Sequence, residues 1–562
     1  MSQLIECVPN FSEGRDPAVI RQITDAVEQV EGVTLLHVDP GVSTNRTVVT
    51  FAGAPGPVIE AAYRAIKTAG ELIDMQRHHG EHPRMGATDV CPLVPISGIS
   101  MEETAAYATE LARRVGGELG IPVYLYEHAQ PNPARKNLAA IRAGEYEGFA
   151  KKMSDPAWQP DFGPATFNAK TGATVIGARD FLVAYNVNLN TTSTRRANAI
   201  AFDVREAGRP ARDGDPLTGK VRIGPDGKPE SIPGTLKAVK AIGWYIDEYR
   251  LAQVSMNLTN LSVTPLHTAF DEVCRAADAR GVRVTGSELV GLVPLETMLE
   301  AGRYFLRKQH RSVGISESEL IHIAVTSLGL DQLGPFKPEE RIIEYRLRQT
   351  DLKRLVDLTV TDFTNVTASE SVAPGGGSVS ALLGALAAAL GSMVANLSAH
   401  KRGWDSRWEE FSAWAEQAQV LKDRLLRAVD EDTQAFDRVM AALGMPKGSA
   451  EEKAARAAAL EAANRGATEV PFRVMQAAHA TFPLLAAMAE HGNPASASDA
   501  GVGALCARSA VLGAWLNVRT NVAGLKQPEL VAEWVREGER LAAETPGLEA
   551  AVQRIVETKI GS

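Results

Sequence analysis

The stretch RHHGEHPRMGATDVCPLVP combines three histidines and a glutamate with a following apolar run. The order of these side chains does not match the HExxH pattern of a helical zinc site, and Pro83 ends any helix that would align the ligands. A zinc site completed by residues elsewhere stays open as an alternative. His78 and His79 are interpreted as surface or capping residues. His82 is fixed between Glu81 and Pro83, and an imidazole that titrates near neutral pH suits general acid–base chemistry.

Two polar loops next to predicted strands could share one site. In VDPGVSTNRTVVTF the loop side chains are Asp39, Ser43, Asn45 and Arg46, and in VPNFSEGRD Asn10 ends a strand. Ordinary turn chemistry explains each loop by itself, because Asp-Pro-Gly and Ser-Thr-Asn favour turns. Both loops are expected at one end of the first sheet, so we predict a shared site there.

An acid interrupts the apolar face of a helix in LLRAVDEDTQAFDRVMAAL. The stripe runs from Leu425 and Val429 through Asp432 to Phe436, and it continues at 439 or 440 and at 443. Asp430 lies two positions away and is expected on the solvated side. Burial of a carboxylate is costly and raises its pKa toward the range useful for proton transfer. Asp432 is therefore either a catalytic acid or one half of a core salt bridge.

Glycines precede a long helix in APGGGSVSALLG, where Gly375, Gly376 and Gly377 are followed by Ser378 as the expected cap. Exposed amides at such a helix start can hold an anion, although no GK[ST] follows and the loop is not a P-loop. A flexible lead into a tightly packed helix is the alternative. Farther on, a small and polar helix face could oppose Asp432 or could serve close packing, and its members are Asp499, Gly513, Asn517 and Asn521.

The composition is that of an ordinary globular chain. Its 562 residues exceed a single hydrophobic core, and the net charge of −9 gives no general attraction to nucleic acid or anionic membrane. Four cysteines without a CxxC pair fit a reducing cytosol, and the first residues lack a secretory signal, so we expect a cytoplasmic location. The uncharged segment 379–398 is interpreted as a buried helix rather than a membrane span, because Ala, Ser and Asn contribute little to insertion.

Strand and helix patterns predict two kinds of domain. The first part reads βαββαβ, the order of a ferredoxin-like unit, and similar patterns recur after a loop rich in Asp, Pro and Gly. ATVIGARDFLVAYNVNLN is predicted as one strand, and residues 209–233 as a surface insertion. The predicted fold class is α/β plus all-α, with two similar ferredoxin-like α/β sandwich subdomains at 1–178 and 179–330, a linker at 331–352 and a separate helical bundle domain at 353–562.

Long motifs in both halves resemble the formimidoyltransferase-cyclodeaminase family of bifunctional folate enzymes. In the α/β half they include IECVPNFSEGRD, STNRTVVTF, GEHPRMGATDVCPLVP and SELVGLVPL. In the helical half they include APGGGSVSALLGALAAALGSMV, VDEDTQAF, GNPASASDAGVGAL and GAWLNVRTN. The chain departs from the family in its longer 209–233 stretch and in a proline within GNPASASD. The resemblance covers nearly the whole chain.

The resemblance implies two consecutive reactions of histidine breakdown and one-carbon metabolism. The formimidoyl group of N-formimidoyl-L-glutamate passes to N5 of tetrahydrofolate, and L-glutamate is released. N10 then closes onto that carbon, ammonia leaves and 5,10-methenyltetrahydrofolate remains. His82 maps onto the transferase histidine of the family, and Asp432 maps onto the cyclodeaminase aspartate of its VDxD motif. The folate-binding segment of the family maps onto Gly163, Pro164, Ala165, Thr166, Phe167, Asn168, Ala169, Lys170, Thr171 and Gly172.

The implied ligands are N-formimidoyl-L-glutamate and tetrahydrofolate as co-substrate, expected to be polyglutamylated, with no metal, nucleic acid or membrane. Arg46, Arg84 and the amides of residues 375–378 are the expected partners of the ligand carboxylates. A homo-oligomer formed through the helical domain is also implied. Two alternatives stay open: a formimidoyltransferase whose helical domain serves only dimerisation or folate binding, and a folate-binding scaffold without turnover.

Overall fold

The computed structural model describes residues 3–42, 44–80, 83–214, 219–225, 227–347, 354–371 and 373–560. The chain forms two compact units. The α/β unit holds residues 1–301 and 325–349, and the helical unit holds residues 302–324 and 350–562. The predicted order of a mixed α/β half followed by a helix-rich half is confirmed.

The first part of the α/β unit is built on a seven-stranded sheet. Its elements are β1 (Leu4–Cys7), β2 (Asn10–Phe11), α1 (Pro17–Glu28), β3 (Val33–Gly41), β4 (Arg46–Gly53), α2 (Pro55–Leu72), β5 (Thr88–Ser97), α3 (Met101–Leu119), β6 (Val123–Glu127), α4 (Leu138–Arg142), α5 (Glu145–Met153) and β7 (Thr174–Ala178).

In this sheet β1 and β2 both lie between β4 and β5, and β3 pairs with the other edge of β4. Beyond β5, β7 and β6 continue the sheet in parallel. Helix α1 begins where the sequence predicts, because the Asp16 carboxylate accepts from the Ala18 amide at 2.8 Å and Pro17 takes the first helical position. The apolar faces of α1, α2 and α3 cover one side of the sheet and form the core.

The second part of the α/β unit carries an antiparallel four-stranded sheet in the order β13-β14-β8-β15. Its elements are β8 (Val183–Leu189), α6 (Thr194–Val204), β9 (Arg209–Pro210), β10 (Arg212–Asp213), β11 (Lys220–Val221), β12 (Ser231–Ile232), β13 (Val239–Ile246), β14 (Leu251–Leu258), α7 (Leu266–Asp278) and β15 (Val284–Val290). After these, α8 (Leu295–Lys308) and α9 (Glu317–Leu328) each run from one unit into the other, and α10 (Pro338–Arg341) and α11 (Ile343–Arg346) close the α/β unit.

The prediction of one strand over ATVIGARDFLVAYNVNLN is wrong. The segment forms β7 in the first sheet and β8 in the second, and residues 179–182 between them are not strand. Arg179 Nη1 donates to the Asp180 carbonyl at 2.9 Å in this break. The two strands are distinguished by their pairing partners, because β7 pairs in the first sheet and β8 in the second.

The helical unit consists of long helices around α13. Its elements are α12 (Val360–Thr367), α13 (Gly376–Ala399), α14 (Trp408–Gly444), α15 (Ala450–His479), α16 (Phe482–His491), α17 (Ala497–Val522) and α18 (Pro528–Ile560). The segment Gly376–Ala399 is long and apolar enough to cross a membrane, but 61% of its most apolar window is buried inside the unit, and Pro494–Val522 passes the same test with 44% buried. Alanine and glycine on α13 let α14 and α17 pack closely against it.

Residues 302–324 pack with the helical unit although they precede the last part of the α/β unit in sequence. The Val313 amide donates to Ser412 Oγ at 3.1 Å. The Gly314 carbonyl accepts from Asn396 Nδ2 at 2.8 Å, and a side chain at Gly314 would overlap Ala415. This segment is therefore an integral layer of the helical unit.

Candidate active sites

A polar cluster at one end of the first sheet joins two of the predicted site residues. Arg46, the first residue of β4, donates to Asn10 Oδ1 from Nε at 3.0 Å and from Nη2 at 2.6 Å. Asp89 of β5 is fully buried, and its Oδ2 lies 2.7 Å from Arg142 Nη2 and 3.6 Å from Arg46 Nη1. Burial lowers the pKa of Arg46 to about 10, so the guanidinium stays cationic at neutral pH.

Asn45 joins the loop after β3 to two other loops. Its Oδ1 accepts from the Gly14 amide at 3.0 Å, and its Nδ2 donates to the His79 carbonyl at 3.0 Å. Its backbone has a φ of +48°, a left-handed conformation that asparagine tolerates better than most residues. Asn45 is buried, so its amide holds the loops together and is not presented to a ligand.

The interpretation of His78 as a surface residue is wrong. Its side chain is buried, with Nε2 2.8 Å from the Asn45 carbonyl and Nδ1 accepting from Arg84 Nε at 3.2 Å. Nε2 therefore carries the proton, and neither ring nitrogen has a free lone pair. Burial lowers the pKa of His78, which keeps it neutral at neutral pH. His79 is exposed, as predicted.

The predicted role of Arg84 as a partner of a ligand carboxylate is not supported, because its guanidinium binds carboxylates of the chain itself. Its Nη2 and Nη1 donate to Glu147 at 2.6 and 2.9 Å, and Nη1 also lies 3.3 Å from Glu145 Oε2. Nη2 donates further to the His78 carbonyl at 3.1 Å. The side chain is only 8% exposed, so this guanidinium is used to fix α5 and His78. Two neighbouring carboxylates within its own unit already satisfy the charge.

The predicted folate-binding segment 163–172 lies beside the residues that follow His82. The Ala173 amide donates to the Met85 carbonyl at 3.1 Å, and the Ala87 amide donates to the Thr171 carbonyl at 2.8 Å. Asn168 Oδ1 accepts from the amides of Lys170 and Thr171 in a tight turn. Much of the segment is exposed, and these bonds hold its C-terminal end.

Asp39, the remaining predicted site residue of the loop after β3, does not join the polar cluster. Asp39 lies within edge strand β3, exposed and paired with Val48, not in the turn that follows. Val48 is also the partner of Asn10 in β2, so Asp39 and Asn10 project from the same face of the sheet with one strand between them. Glu81 and His82 lie outside the described residues.

The second site is a pocket of about 320 Å³ in the helical unit, where α13, α14, α15 and α17 meet. The carboxylate of Asp432 on α14 forms part of its wall, with Phe436 and Val439 on the next turn. Gly375, Gly376 and Gly377, at the start of α13, also line the pocket, and Gly377 lies directly against the carboxylate. The structure therefore brings the predicted acid and the predicted glycine loop together.

Ser378 holds the Asp432 carboxylate instead of capping α13. The cap position is Gly375, and Ser378 lies inside the first turn with its Oγ fully buried against α14. Oγ is 3.1 Å from Asp432 Oδ2 and 3.0 Å from the Val429 carbonyl, and the Ser378 amide also donates to the carboxylate. A Cβ at Gly377 would overlap that carboxylate, so glycine is required for this approach.

The pKa of Asp432 is raised from its ordinary value. Burial is the main cause, and the two hydrogen bonds from Ser378 oppose it because they stabilise the charged form. Among the described residues, no basic side chain forms a salt bridge with Asp432, so the alternative prediction of a core salt bridge is wrong. A half-buried carboxyl that is easier to protonate than usual can serve as a proton donor in this pocket.

Two details of the predicted apolar stripe are wrong. Beyond Asp432, Phe436, Met440 and Leu443 are 37%, 51% and 47% exposed, and Ala435 and Ala442 are the buried residues of this part of α14. Asp430 is not a solvated side chain, because its Oδ1 accepts from the Leu355 amide at 2.6 Å. Burial raises the pKa of Asp430 as well, and this carboxylate ties the chain entering the helical unit to α14.

Amide side chains from two helices complete the pocket. Asn517 and Asn521 of α17 line it as expected, and Asn464 of α15 joins them. Asp499 does not line the pocket, because 18 residues of helix place it about 27 Å from Asn517 along α17. Gly513 packs against Ser380 Oγ, which supports the close-packing alternative at that position.

The sequence interpretation missed several polar residues of the two sites. Asp89 and Arg142 complete the first cluster, and the charge of Asp89 at the start of the apolar run DVCPLVP was the available signal. Thr433 and Asn464 also line the second pocket; Thr433 directly follows Asp432 in the VDEDTQAF motif, and nothing in the alanine-rich surroundings of Asn464 marks it. Among the described residues, no group of three or more His, Cys, Asp or Glu could hold a metal.

Comparison with known proteins identifies the family. Residues 4–179 match the formiminotransferase domain, N-terminal subdomain, residues 184–348 match the formiminotransferase domain, and residues 359–540 match formiminotransferase-cyclodeaminase. The formimidoyltransferase-cyclodeaminase of Gallus gallus is 43% identical over 100% of both chains. The glutamate formimidoyltransferase of Streptococcus pyogenes is 39% identical over 55% of this chain and 94% of its own, and the methenyltetrahydrofolate cyclohydrolase of Methylorubrum extorquens is 37% identical over 36% and 97%.

The matches of the α/β part and of the helix-rich part to named enzymes define the chain as an enzyme. The chain belongs to the formimidoyltransferase-cyclodeaminase family, and the resemblance found in the sequence is confirmed.

Proposed function

We propose that the chain catalyses both reactions of its family in succession. The α/β unit transfers the formimidoyl group from N-formimidoyl-L-glutamate to N5 of tetrahydrofolate. The helical unit converts the resulting 5-formimidoyltetrahydrofolate into 5,10-methenyltetrahydrofolate and ammonia. Relatives named for the combined activity match the full length, and relatives named for single activities match each half, so the predicted function is confirmed at this level.

The observation that carries the second activity is the arrangement around Asp432. Ring closure forms the bond between N10 and the formimidoyl carbon, and it breaks the bond to the exocyclic nitrogen. Starting from the protonated amidinium form of the formimidoyl group, N10 gives up one proton, and the departing nitrogen takes one up and leaves as ammonia. A carboxyl group with a raised pKa donates the proton to that nitrogen and recovers one from N10, so a single group serves both transfers.

For the first activity, His82 is proposed as the acid–base from its place in the GEHPR motif. A histidine there takes the proton from N5 and gives one to the departing glutamate nitrogen. Arg46 is the proposed partner of a substrate carboxylate, because its guanidinium is cationic and fixed by Asn10 and Asp89. Segment 163–172 is proposed to contact the folate, and its position beside residues 85–87 supports this.

The two assignments are tested with His82→Ala and Asp432→Asn. Release of glutamate measures the first step, and near-ultraviolet absorbance of the methenyl product from added 5-formimidoyltetrahydrofolate measures the second. We expect Asp432→Asn to lower the second rate about 100-fold or more and to leave the first unchanged, with the reverse for His82→Ala. An unchanged second rate in Asp432→Asn would leave the helical unit with a dimerisation or folate-binding role only.

The finer description of the α/β unit is also a proposal. We propose two similar ferredoxin-like subdomains at 1–178 and 179–330, the second without residues 302–324, which pack with the helical unit, and the cyclodeaminase at 353–562. The order β13-β14-β8-β15 supports it, because the first strand of the βαββαβ unit lies between the third and fourth. The first sheet has the corresponding order, with β1 and β2 between β4 and β5.

Self-association through the helical unit is proposed from two exposed apolar rows. They are formed by Leu386, Met393 and Leu397 on α13 and by Val502, Leu505 and Leu516 on α17. Exposed apolar rows of this kind mark protein contacts. The double variant Met393→Glu with Leu505→Glu should show a smaller particle mass than the parent chain in light scattering. The control Val420→Glu, which also places a charge at an exposed position, should keep the parent mass. A cytoplasmic location and a polyglutamylated folate remain part of the proposal.

A further inference from the structure

A pocket lined by arginines lies outside both proposed active sites. It has a volume of about 440 Å³ and is formed by α6 and the first strands of the 209–233 insertion. Three arginines line it, Arg195 from α6 and Arg209 and Arg212 from the insertion. Ala199 and Phe202 on the same face of α6 supply an apolar floor. None of these residues belongs to the machinery proposed for either reaction.

The insertion is anchored so that its arginines are held in place. β9 pairs with β12 and β10 pairs with β11, and the Ala211 amide donates to the Glu230 carbonyl at 2.8 Å between the two pairs. Gly208, with a φ of +61°, lies directly against the Ile232 carbonyl and allows no side chain there. The described part of the pocket wall is therefore held by two hydrogen-bonded strand pairs.

Positive charge around this pocket exceeds the negative charge that pairs with it. Asp203 forms ion pairs with Arg209 and Arg280. Arg195 and Arg212 pair with no carboxylate among the described residues, and Arg212 is held by a hydrogen bond from Nη1 to the Gly219 carbonyl at 2.7 Å. Burial and the neighbouring Arg280 lower the pKa of Arg209. In a chain with a net charge of −9, such a local excess of arginine favours an anion.

We propose that this pocket binds a small organic anion that carries two or more carboxylate or phosphate groups. The planar guanidinium groups match the paired oxygens of either chemistry, and the floor of Ala199 and Phe202 accommodates the hydrocarbon part between them. One face of the Phe202 ring is covered by the Arg205 guanidinium, which lies 4.1 Å from the ring centroid. Binding here is independent of turnover at either active site.

The test is calorimetric titration of the full chain at low ionic strength with two probes, citrate for carboxylates and pyrophosphate for phosphates. We expect saturable binding of at least one probe, and the probe that binds more tightly identifies the chemistry. The double substitution Arg195→Ala with Arg212→Ala should weaken binding at least about tenfold. Both enzymatic rates should stay at the parent level, which also shows that the variant is folded.

The matched control is Arg222→Ala in the same insertion. It removes the same charge, but Arg222 is neutralised by Glu230 at 3.2 Å and Asp213 at 3.9 Å. Binding should be unchanged in this control. Absence of saturable binding of both probes to the parent chain would overturn the proposal, and so would an equal loss of binding in Arg222→Ala, which would indicate general surface charge.

Discussion

At the residue scale, the Asp432 carboxylate depends on a glycine that contributes no side chain. The substitution Gly377→Ala places a methyl group where the carboxylate lies, so the acid must move away from the Ser378 donors. We expect cyclodeaminase activity to fall by about 100-fold, the range lost when a general acid is misplaced. The decisive assay is methenyl formation from added 5-formimidoyltetrahydrofolate.

Gly376→Ala is the matched control for this substitution. A Cβ at Gly376 meets nothing closer than Asn517 Nδ2 at 3.6 Å, an ordinary contact. Because Gly376 lines the pocket but its alanine variant leaves the Asp432 carboxylate in place, the activity of this variant should fall much less than that of Gly377→Ala. Equal losses in the two alanine variants would show that the helix start tolerates no side chain at all, and the specific contact with Asp432 would lose its support.

Ser378 sets how readily Asp432 gives up its proton. Its amide and hydroxyl stabilise the charged carboxylate, so removal of the hydroxyl in Ser378→Ala raises the pKa of Asp432 further. The acid then stays protonated to higher pH. The alkaline decline of the cyclodeaminase rate should move to higher pH in Ser378→Ala, and Ser378→Thr should restore the parent profile. A lower rate with an unmoved pH profile would indicate a merely structural hydroxyl.

At the element scale, β5 is tied to β4 and α4 through one buried carboxylate. Asp89→Asn leaves Arg46 and Arg142 facing a neutral amide. We expect a loss of about 2 kcal/mol in the free energy of unfolding of the α/β unit, below the full cost for a buried pair because both arginines are partly exposed. Urea unfolding followed by near-ultraviolet circular dichroism measures it.

Asp74→Asn is the corresponding surface control. Its partner Arg77 is 89% exposed, and exposed pairs contribute about 0–1 kcal/mol. The free energy of unfolding should therefore change by less than about 0.5 kcal/mol. If Asp89→Asn were no more destabilised than this control, the ion pairs of Asp89 with Arg46 and Arg142 would not stabilise the fold.

The elements that a local signal specifies could be predicted from the sequence, and those that depend on a distant partner could not. Asp16 and Pro17 start α1 by their own chemistry, and β4 begins at Arg46 directly after the turn. The break between β7 and β8 depends on which sheet each half joins. Asp432 was selected because one face of its helix predicted burial, but its partner Ser378 lies 54 positions away and belongs to another helix.

Buried polar residues were the least predictable part of the sites. His78 looked like a surface residue because its burial depends on Asn45 from another loop, while its second partner Arg84 lies six positions on in its own loop. Asp430 looked solvated because its partner is a backbone amide 75 positions earlier in the chain. A local pattern shows that a side chain is polar, and only the fold shows whether a donor or acceptor meets it.

At the scale of the whole molecule, the two proposed catalysts belong to different units with separate cores. A mixture of His82→Ala protein and Asp432→Asn protein should therefore produce methenyltetrahydrofolate from N-formimidoyl-L-glutamate, because each protein retains one intact step. The rate is compared with that of the parent chain at equal concentration. If His82→Ala alone abolished the second step with added intermediate, the two sites would not be independent.

The packing of residues 302–324 against α13 and α14 bears on how the chain can be divided. A single cut between residues 347 and 354 separates the polypeptide into two pieces, yet the N-terminal piece carries a layer of the helical unit. The pieces should stay together on a sizing column after such a cut, as in a split protein whose fragments complement each other. A recombinant fragment that starts at residue 354 would lack that layer and would need the missing segment, supplied as a peptide or a fusion, to reach full solubility.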